Sequence, residues 1–307
     1  MGTTIPKPEH GSKEWLLARW KDEEGNLLVS ASDAAAIYDL HPFKSREQYA
    51  AEQLSKQAPE PKAPSEAMER GNRLEAPLLE WVSDRIGKKI TTPDVMYRDG
   101  RMSATLDGMT EDGDIVEIKT YNKQWTGTLP AHWAVQGVQQ AICAGKNKVI
   151  WGVFDSTLSL HIYEQTVSSD EMAEHKAAVR MWFEAIDYDA TPTGVRWSYA
   201  TITSRYNAAD GSSVEVGPWG KEVLDQLRHV KSELKSYEQM EDMLKAEFCE
   251  LMGNSESATI DGNVVATWKP QVRSSFDSKA FKADNPELTS QYTKQMTIRT
   301  FNIKGAK

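Results

Sequence analysis

Two periods of hydrophobic and polar positions alternate along this chain, and the changes of period mark its elements. Residues 12–20, SKEWLLARW, put Trp15, Leu16 and Arg19 at spacings suited to a half-buried helix. LLVS reads as a strand ending at Ser30, and Ser32 precedes an Ala-rich stretch, the position from which a Ser side chain caps a helix. Pro42 stops that helix and REQYAAEQL continues as another. QAPEPKAP, with three prolines in eight residues, must be a loop. SEAMERGNRLEAPLLEWVSDRIGKKI then carries Leu74, Leu78, Trp81, Val82 and Ile86 at helical spacing, the longest such pattern in the first half. The period drops to two in DVMYRDG, RMSATLDG and DIVEIKTY, which read as successive strands. PAHWAVQGVQQAICAG predicts a helix opening after Pro130 and closing at Gly145. KVIWGVFD and LSLHIYEQT predict a hairpin, and SSDEMAEHKAAVRMWFEAI predicts a helix with a capping Ser and an acidic first turn.

This order predicts an α+β fold, helices layered against a small mixed sheet. After Asp189 the pattern changes. Residues 190–218 lack a clear period and read as a linker or arm. Residues 221–252 form a long amphipathic helix with Val223, Leu227, Val230, Leu234, Tyr237, Met240, Leu244 and Phe248 recurring in threes and fours. ATIDGNVVATW is a hairpin with Asp-Gly at its turn, and QMTIRTFNI alternates again. The expected division is a core of residues 1–189 and an extension of residues 190–307, comprising the linker, the helix, and a hairpin and tail over 257–307. The extension carries no assignable chemistry. Its apolar stripe reads as core or subunit packing, and Lys269, Arg273, Lys279, Lys282, Lys294, Arg299 and Lys304 read as a solvated face that could also serve as a phosphate track.

Composition narrows the class. With 39% hydrophobic and 26% charged residues the chain reads as an ordinary globular protein. No apolar run is long enough to span a bilayer, and the N-terminal residues have no signal-peptide pattern, so no membrane association is expected. Cys143 and Cys249 stand far apart without metal-ligand spacing, which fits reduced thiols and a cytoplasmic setting. The net charge of −9 argues against a protein that merely coats nucleic acid, because phosphate binding rests on Lys and Arg. It leaves room for an enzyme with a local basic channel and cation-holding carboxylates.

The candidate chemistry lies in LDGMTEDGDIVEIKT, residues 106–120. Strand alternation puts Glu117 and Lys119 on one face and Val116 and Ile118 on the other. Asp107 ends the preceding strand and can return beside Glu117. Two carboxylates at a sheet end make a hard-oxygen site suited to Mg²⁺, with Mn²⁺ as a substitute, and the Ile118 carbonyl could add a ligand. Lys119 can orient or help deprotonate a bound water, or offset charge on a phosphate. Alone, the segment reads equally as a charged surface hairpin. Around it lie Glu75 on a helix, Gln136 and Gln140 at i, i+4 on another, and Arg19, Ser32 and Thr105; singly, these read as an exposed carboxylate, a solvated face, a surface Arg, an N-cap and a strand Thr. Glu111, Asp112 and Asp114 read as turn residues only.

Taken in order, Trp-x-x-x-Arg, Ala-Ser before a helix, Gly-x-x-x-Glu, Asp-Gly, Glu-x-Lys and a Gln-bearing helix resemble the phage lambda-type exonucleases, the YqaJ-like viral recombinase exonuclease branch of the restriction-endonuclease-like PD-(D/E)XK fold. The resemblance covers roughly residues 12–187. It implies a Mg²⁺-dependent 5′-to-3′ exonuclease that digests one strand of linear duplex DNA from a double-strand end and leaves 3′ overhangs for recombination by strand annealing. It further implies metal ligation by Asp107 and Glu117, support from Glu75, Lys119 beside the attacking water, and a 5′-phosphate pocket at Arg19, Ser32 and Thr105. Implied partners are DNA ends, a single-strand annealing protein and further copies of the chain in a ring, in the cytoplasm of a bacterial host carrying the phage or prophage. The chain departs from the family at two points. Counted from Gly145, Gln136 fits the first of the family's two glutamines but the second position is Val138, which leaves Gln136, Gln139 and Gln140 all open as the residue facing the site. Leu106 stands where a Pro usually precedes the metal Asp, a change that removes no ligand. Two other readings stay open: a structure-selective endonuclease or end-trimming nuclease of the same fold, and a non-catalytic DNA-end-binding adaptor.

Overall fold

The computed structural model describes residues 2–294 and 299–304. The chain runs β1 (Thr3–Pro6), α1 (Lys13–Trp20), β2 (Val29–Ser30), a 3-10 helix (Ala34–Tyr38), α2 (Arg46–Ser55) and α3 (Glu66–Ile86). Five strands follow: β3 (Ile90–Thr91), β4 (Val95–Asp99), β5 (Met102–Ala104), β6 (Gly108–Thr110) and β7 (Ile115–Thr120). Then come α4 (Ala131–Ala144), β8 (Lys148–Phe154), β9 (Leu160–Thr166), α5 (Ser169–Asp187) and α6 (Tyr199–Arg205). The chain divides into two compact units, Met1–Arg205 and Tyr206–Lys307, with α6 packed on α2 inside the first.

In the first unit the larger sheet has the order β3-β6-β7-β8-β9, and the smaller β1-β4-β5-β2. β7 and β8 are parallel and joined through α4, while the other pairs of the larger sheet are antiparallel. This is the mixed sheet flanked by helices that the sequence predicts. The alternation along β7 separates two cores. Val116 and Ile118 meet Leu78, Leu79 and Val82 of α3, whereas Ile115 joins the larger core with Trp133, Val138, Ala141 and Trp151. Two glycines permit the close packing of α3. A Cβ on Gly108 would lie 2.6 Å from Ile90 Cγ2 and 3.0 Å from Leu79 Cδ2, and one on Gly152 would lie 2.6 Å from Val82 Cγ2 and 2.8 Å from Ile118 Cδ1.

Helix ends follow the local sequence. Ser12, Ser45, Ser65 and Ser168 cap α1, α2, α3 and α5, and Ser45 and Ser168 complete capping boxes with Gln48 and Glu171. Two local expectations are corrected. The Ala-rich stretch is a 3-10 turn with Asp33 at its cap position, so Ser32 caps nothing and its hydroxyl is taken by Arg19. Asp107 does not end a strand; it lies in the gap between β5 and β6, and Gly108 opens β6 rather than making a turn.

The second unit holds α7 (Gly217–Met252), the hairpin β10 (Ser257–Ile260) and β11 (Asn263–Thr267), α8 (Ser278–Asp284) and α9 (Pro286–Tyr292). The hairpin turns at Asp261-Gly262, both at positive φ. Of the α7 residues, only Met252 is buried. The alternating tail expected at QMTIRTFNI falls partly on residues 295–298, outside the described residues. Among the described residues, no helix is long and apolar enough to cross a membrane.

Candidate active site

β7 carries the centre of the site because a buried central strand fixes every second side chain toward one layer. Glu117 is buried and points into the α4 layer, where α4 presents two glutamine amides one turn apart. Gln136 Nε2 donates to Glu117 Oε1 at 2.5 Å, and Gln140 Nε2 donates to Glu117 Oε2 at 2.7 Å. Lys119 Nζ donates to Glu117 Oε1 at 2.7 Å and lies 5.8 Å above the Trp151 ring. Asp107 comes back beside them from the start of β6. Its Oδ2 accepts the Ile118 N–H at 2.8 Å, a backbone donor lying between Glu117 and Lys119 in sequence.

Of the three glutamines left open by the sequence, two meet Glu117. Gln136 and Gln140 are a half-buried and a buried pair on Glu117 and not a solvated face. Gln139 faces away from the site: its Nε2 donates to the carbonyls of Val29 and Ser103 at 2.8 and 3.0 Å, tying β2 to β5, and its Oε1 lies 3.0 Å from His175 Nε2. Val138 is buried in the larger core.

Electrostatics bind the cluster together. Burial, and after it the charges of Glu117 and Glu75, push the Asp107 carboxyl well above the usual carboxylate range. Burial and the neighbouring Glu117 also raise Glu75, which reaches the cluster from α3 and is half-buried rather than an exposed helix carboxylate. Burial would lower the Lys119 ammonium, but Glu117, Asp107 and Glu75 outweigh it and the net direction is up. Three carboxylates answered by one lysine make a centre short of positive charge.

A second group of donors shares the same cavity of about 170 Å³, lined by His10, Trp15, Arg19, Ser32 and Thr105 on one side and Asp107, Glu117, Lys119 and Gln136 on the other. Arg19 Nη2 donates to Ser30 Oγ at 2.8 Å and also to Ser32 Oγ, and its guanidinium lies 4.2 Å above the Trp15 ring. Ser30 Oγ in turn donates to Asp33 Oδ2 at 2.8 Å, and Lys44 pairs with Asp33 Oδ1 at 3.2 Å. Sequence reasoning named Arg19, Ser32 and Thr105, and kept Gln140 among three candidate glutamines, but missed Ser30, Asp33 and His10. The SASD run beside an Arg-bearing helix is the signal that could have found Ser30 and Asp33.

The donor set suits a hard divalent cation. Asp107 Oδ1 has no hydrogen-bond partner among the described residues, and Glu117 Oε2 accepts only Gln140. Two carboxylates with unused lone pairs match Mg²⁺, which keeps most of its waters. Among the described residues there is no group of three or more His, Cys, Asp or Glu gathered to hold a metal.

Residues 14–147 match the family of the YqaJ-like viral recombinase domain. The match spans a little under half of the chain. The matched span contains Arg19, Ser32, Glu75, Asp107, Glu117, Lys119 and Gln136, so the whole cluster lies within it. The uncharacterized protein YqaJ of Bacillus subtilis (strain 168) is 24% identical over 96% of this chain and 95% of its own, so its likeness runs through both units. Among solved structures, an alkaline exonuclease (LHK-Exo) from Laribacter hongkongensis is 21% identical, with 58% of this chain and 94% of that chain covered at a TM-score of 0.48. A phage related exonuclease from Haemophilus somnus 129PT is 10% identical, with 53% and 96% covered at a TM-score of 0.41. The likeness to that domain family thus extends over Glu117 and Lys119 on β7 and over Asp107 beside them.

Proposed function

We propose that the protein is a Mg²⁺-dependent 5′-to-3′ exonuclease that degrades one strand of linear duplex DNA from its ends and leaves 3′ overhangs for strand annealing. The observation that carries this reading is the single cavity in which Arg19, Ser32 and Thr105 face Asp107, Glu117 and Lys119. A terminal phosphate held by the first group sets which phosphodiester bond lies beside the second, and that is what gives an exonuclease its polarity.

Phosphodiester hydrolysis needs an in-line water, positive charge on the non-bridging oxygens and stabilisation of the leaving 3′-oxygen. A divalent cation bound by Asp107 and Glu117, with the Ile118 carbonyl and Glu75 in support, supplies Lewis-acid charge and lowers the pKa of a bound water. The chain's own residues do the rest. Gln136 and Gln140 hold the Glu117 carboxylate in one rotamer, as supporting partners of metal ligands do. The Ile118 amide fixes Asp107 in the same way. Lys119 brings a positive charge to the place where negative charge develops on the scissile phosphate. Arg19, already oriented by Ser30 and Ser32, offers its remaining N–H donors to a terminal phosphate.

The test is digestion of end-labelled linear duplex with Mg²⁺, with Mn²⁺ and with chelator, on 5′-phosphorylated and 5′-hydroxyl ends. Loss of label first from the phosphorylated 5′ end, abolished by chelator, is the expected result. Cleavage of covalently closed circles would instead identify an endonuclease, and end binding without cleavage an adaptor.

A further inference from the structure

α7 repeats its apolar positions every seven residues. Val223, Val230, Tyr237, Leu244 and Leu251 stand at intervals of seven, and Leu227, Leu234, Glu241 and Phe248 stand four residues after the first four of them. These are the d and a positions of a heptad sustained for four repeats. None of these side chains is buried within the described chain, and Tyr237 and Leu251 are 64% and 81% exposed. On a straight helix a strict seven-residue repeat drifts by about 20° per heptad, so only supercoiling about another helix keeps the stripe on one line. A helix lying on a globular core shows a wider stripe of period 3.6 instead. The fitting partner is therefore a helix with the same period, and a second α7 supplies one.

Charge decides the direction of pairing. In a parallel, in-register pair Glu241 would face Glu241 of the other copy, and Glu233 at g would face Glu238 at e. An antiparallel pair whose two-fold axis passes between Lys235 and Ser236 puts Leu227 opposite Leu244, Leu234 opposite Tyr237, Phe248 opposite Val223 and Glu241 opposite Val230. In that register Lys231 of each copy lies beside Glu238 and Glu241 of the other. The groove between the end of α7 and β11, about 330 Å³ and lined by Leu244, Phe248, Met252 and Trp268, then lies where Val223 and the exposed Trp219 of the second copy arrive.

We propose that α7 is a self-association element, pairing two copies of the chain through an antiparallel coiled coil with Lys231–Glu238 bridges between them. The inference does not depend on the nuclease reading. It is tested on the full-length chain by light-scattering mass over a dilution series, with circular dichroism to follow folding. Leu234→Asp is expected to halve the mass with helicity and unfolding of the remainder unchanged. Lys231→Glu and Glu238→Lys should each raise the dissociation midpoint tenfold or more, and the double variant should restore it. Wild-type chains of single-copy mass at every concentration, or an unchanged mass for Leu234→Asp, would overturn the proposal. So would tighter association of Glu238→Lys, the result a parallel pair requires because it removes the Glu233–Glu238 repulsion.

Discussion

The amide of Gln140 and the carboxylate of Glu117 meet at 2.7 Å, joining a helix to the central strand at a buried acid of the cavity. Among the described residues Gln140 Oε1 has no partner, so the side chain is held by its donor end, shared between Glu117 and the Thr105 carbonyl at 3.3 Å. Gln140→Leu should therefore loosen Glu117 without unfolding the chain. The expected effect is a roughly 10–100-fold loss of cleavage rate and a higher Mg²⁺ midpoint. A Mg²⁺ titration of the rate checks it, and an unchanged midpoint would remove Gln140 from the site.

The neighbouring Gln139 should behave in the opposite way. Gln139→Leu removes a side-chain donor from the Val29 and Ser103 carbonyls, the latter still accepting the Ala31 N–H, and leaves His175 Nε2 without its acceptor, at about 1–3 kcal/mol for a buried group left unpaired. Urea unfolding should register that loss, while the Mg²⁺ midpoint of the folded enzyme stays where it was.

Lys119→Ala should abolish cleavage, by at least about 10²-fold on the scale of lost electrostatic stabilisation. End binding, measured by fluorescence anisotropy with Ca²⁺ in place of Mg²⁺, should be largely kept. Full activity of this variant with Mg²⁺ would sink the assignment of the site.

Arg19→Lys separates polarity from chemistry. A lysine is a point charge and cannot bridge Ser30 and Ser32 while presenting a planar fork to a phosphate. The ratio of rates on 5′-phosphorylated and 5′-hydroxyl ends should fall toward one, with residual cleavage from hydroxyl ends intact.

His175 makes stability depend on pH. Gln139 Nε2 is committed to two carbonyls, so its Oε1 must accept from His175 Nε2–H, and the neutral ring takes the Tyr38 hydroxyl on Nδ1 at 2.8 Å. Burial lowers the His175 pKa to about 4. Above pH ~6.5 the ring is neutral in both folded and unfolded chains and nothing is lost. As pH falls from there toward 4, the unfolded chain takes up a proton that the folded one refuses, and about 3 kcal/mol of stability disappears. Unfolding midpoints at pH 7 and pH 4.5 should differ less in His175→Gln than in the wild type.

Much of this was written in local pattern. The period-two run of DIVEIKT fixed which face Glu117 shares with Lys119, and Leu74 to Ile86 marked α3, because each signal depends only on residues close in sequence. The glutamines were not legible in the same way. At i, i+4 an amide pair looks the same whether it faces water or a carboxylate, and only the packing of α4 over the Glu117 face of β7 decides. Ser32 misled for a related reason. A hydroxyl before an Ala run is a good cap, but a buried guanidinium 13 residues earlier in the chain offered it a stronger donor. On α7 the apolar stripe was plain, yet a list of threes and fours does not distinguish a core helix from a paired one until the strict sevens are counted against exposure.

The position of Glu117 and Lys119 on β7 also governs how the protein fails. β7 has β6 on one side and β8 on the other, with helices packed against both faces. β8 is paired beside both residues, so displacing those two side chains means breaking the β7–β8 ladder. Heat or denaturant should therefore erase activity in a single step together with global unfolding, and the slowest-exchanging backbone amides of the first unit should include those of the residues that do the chemistry.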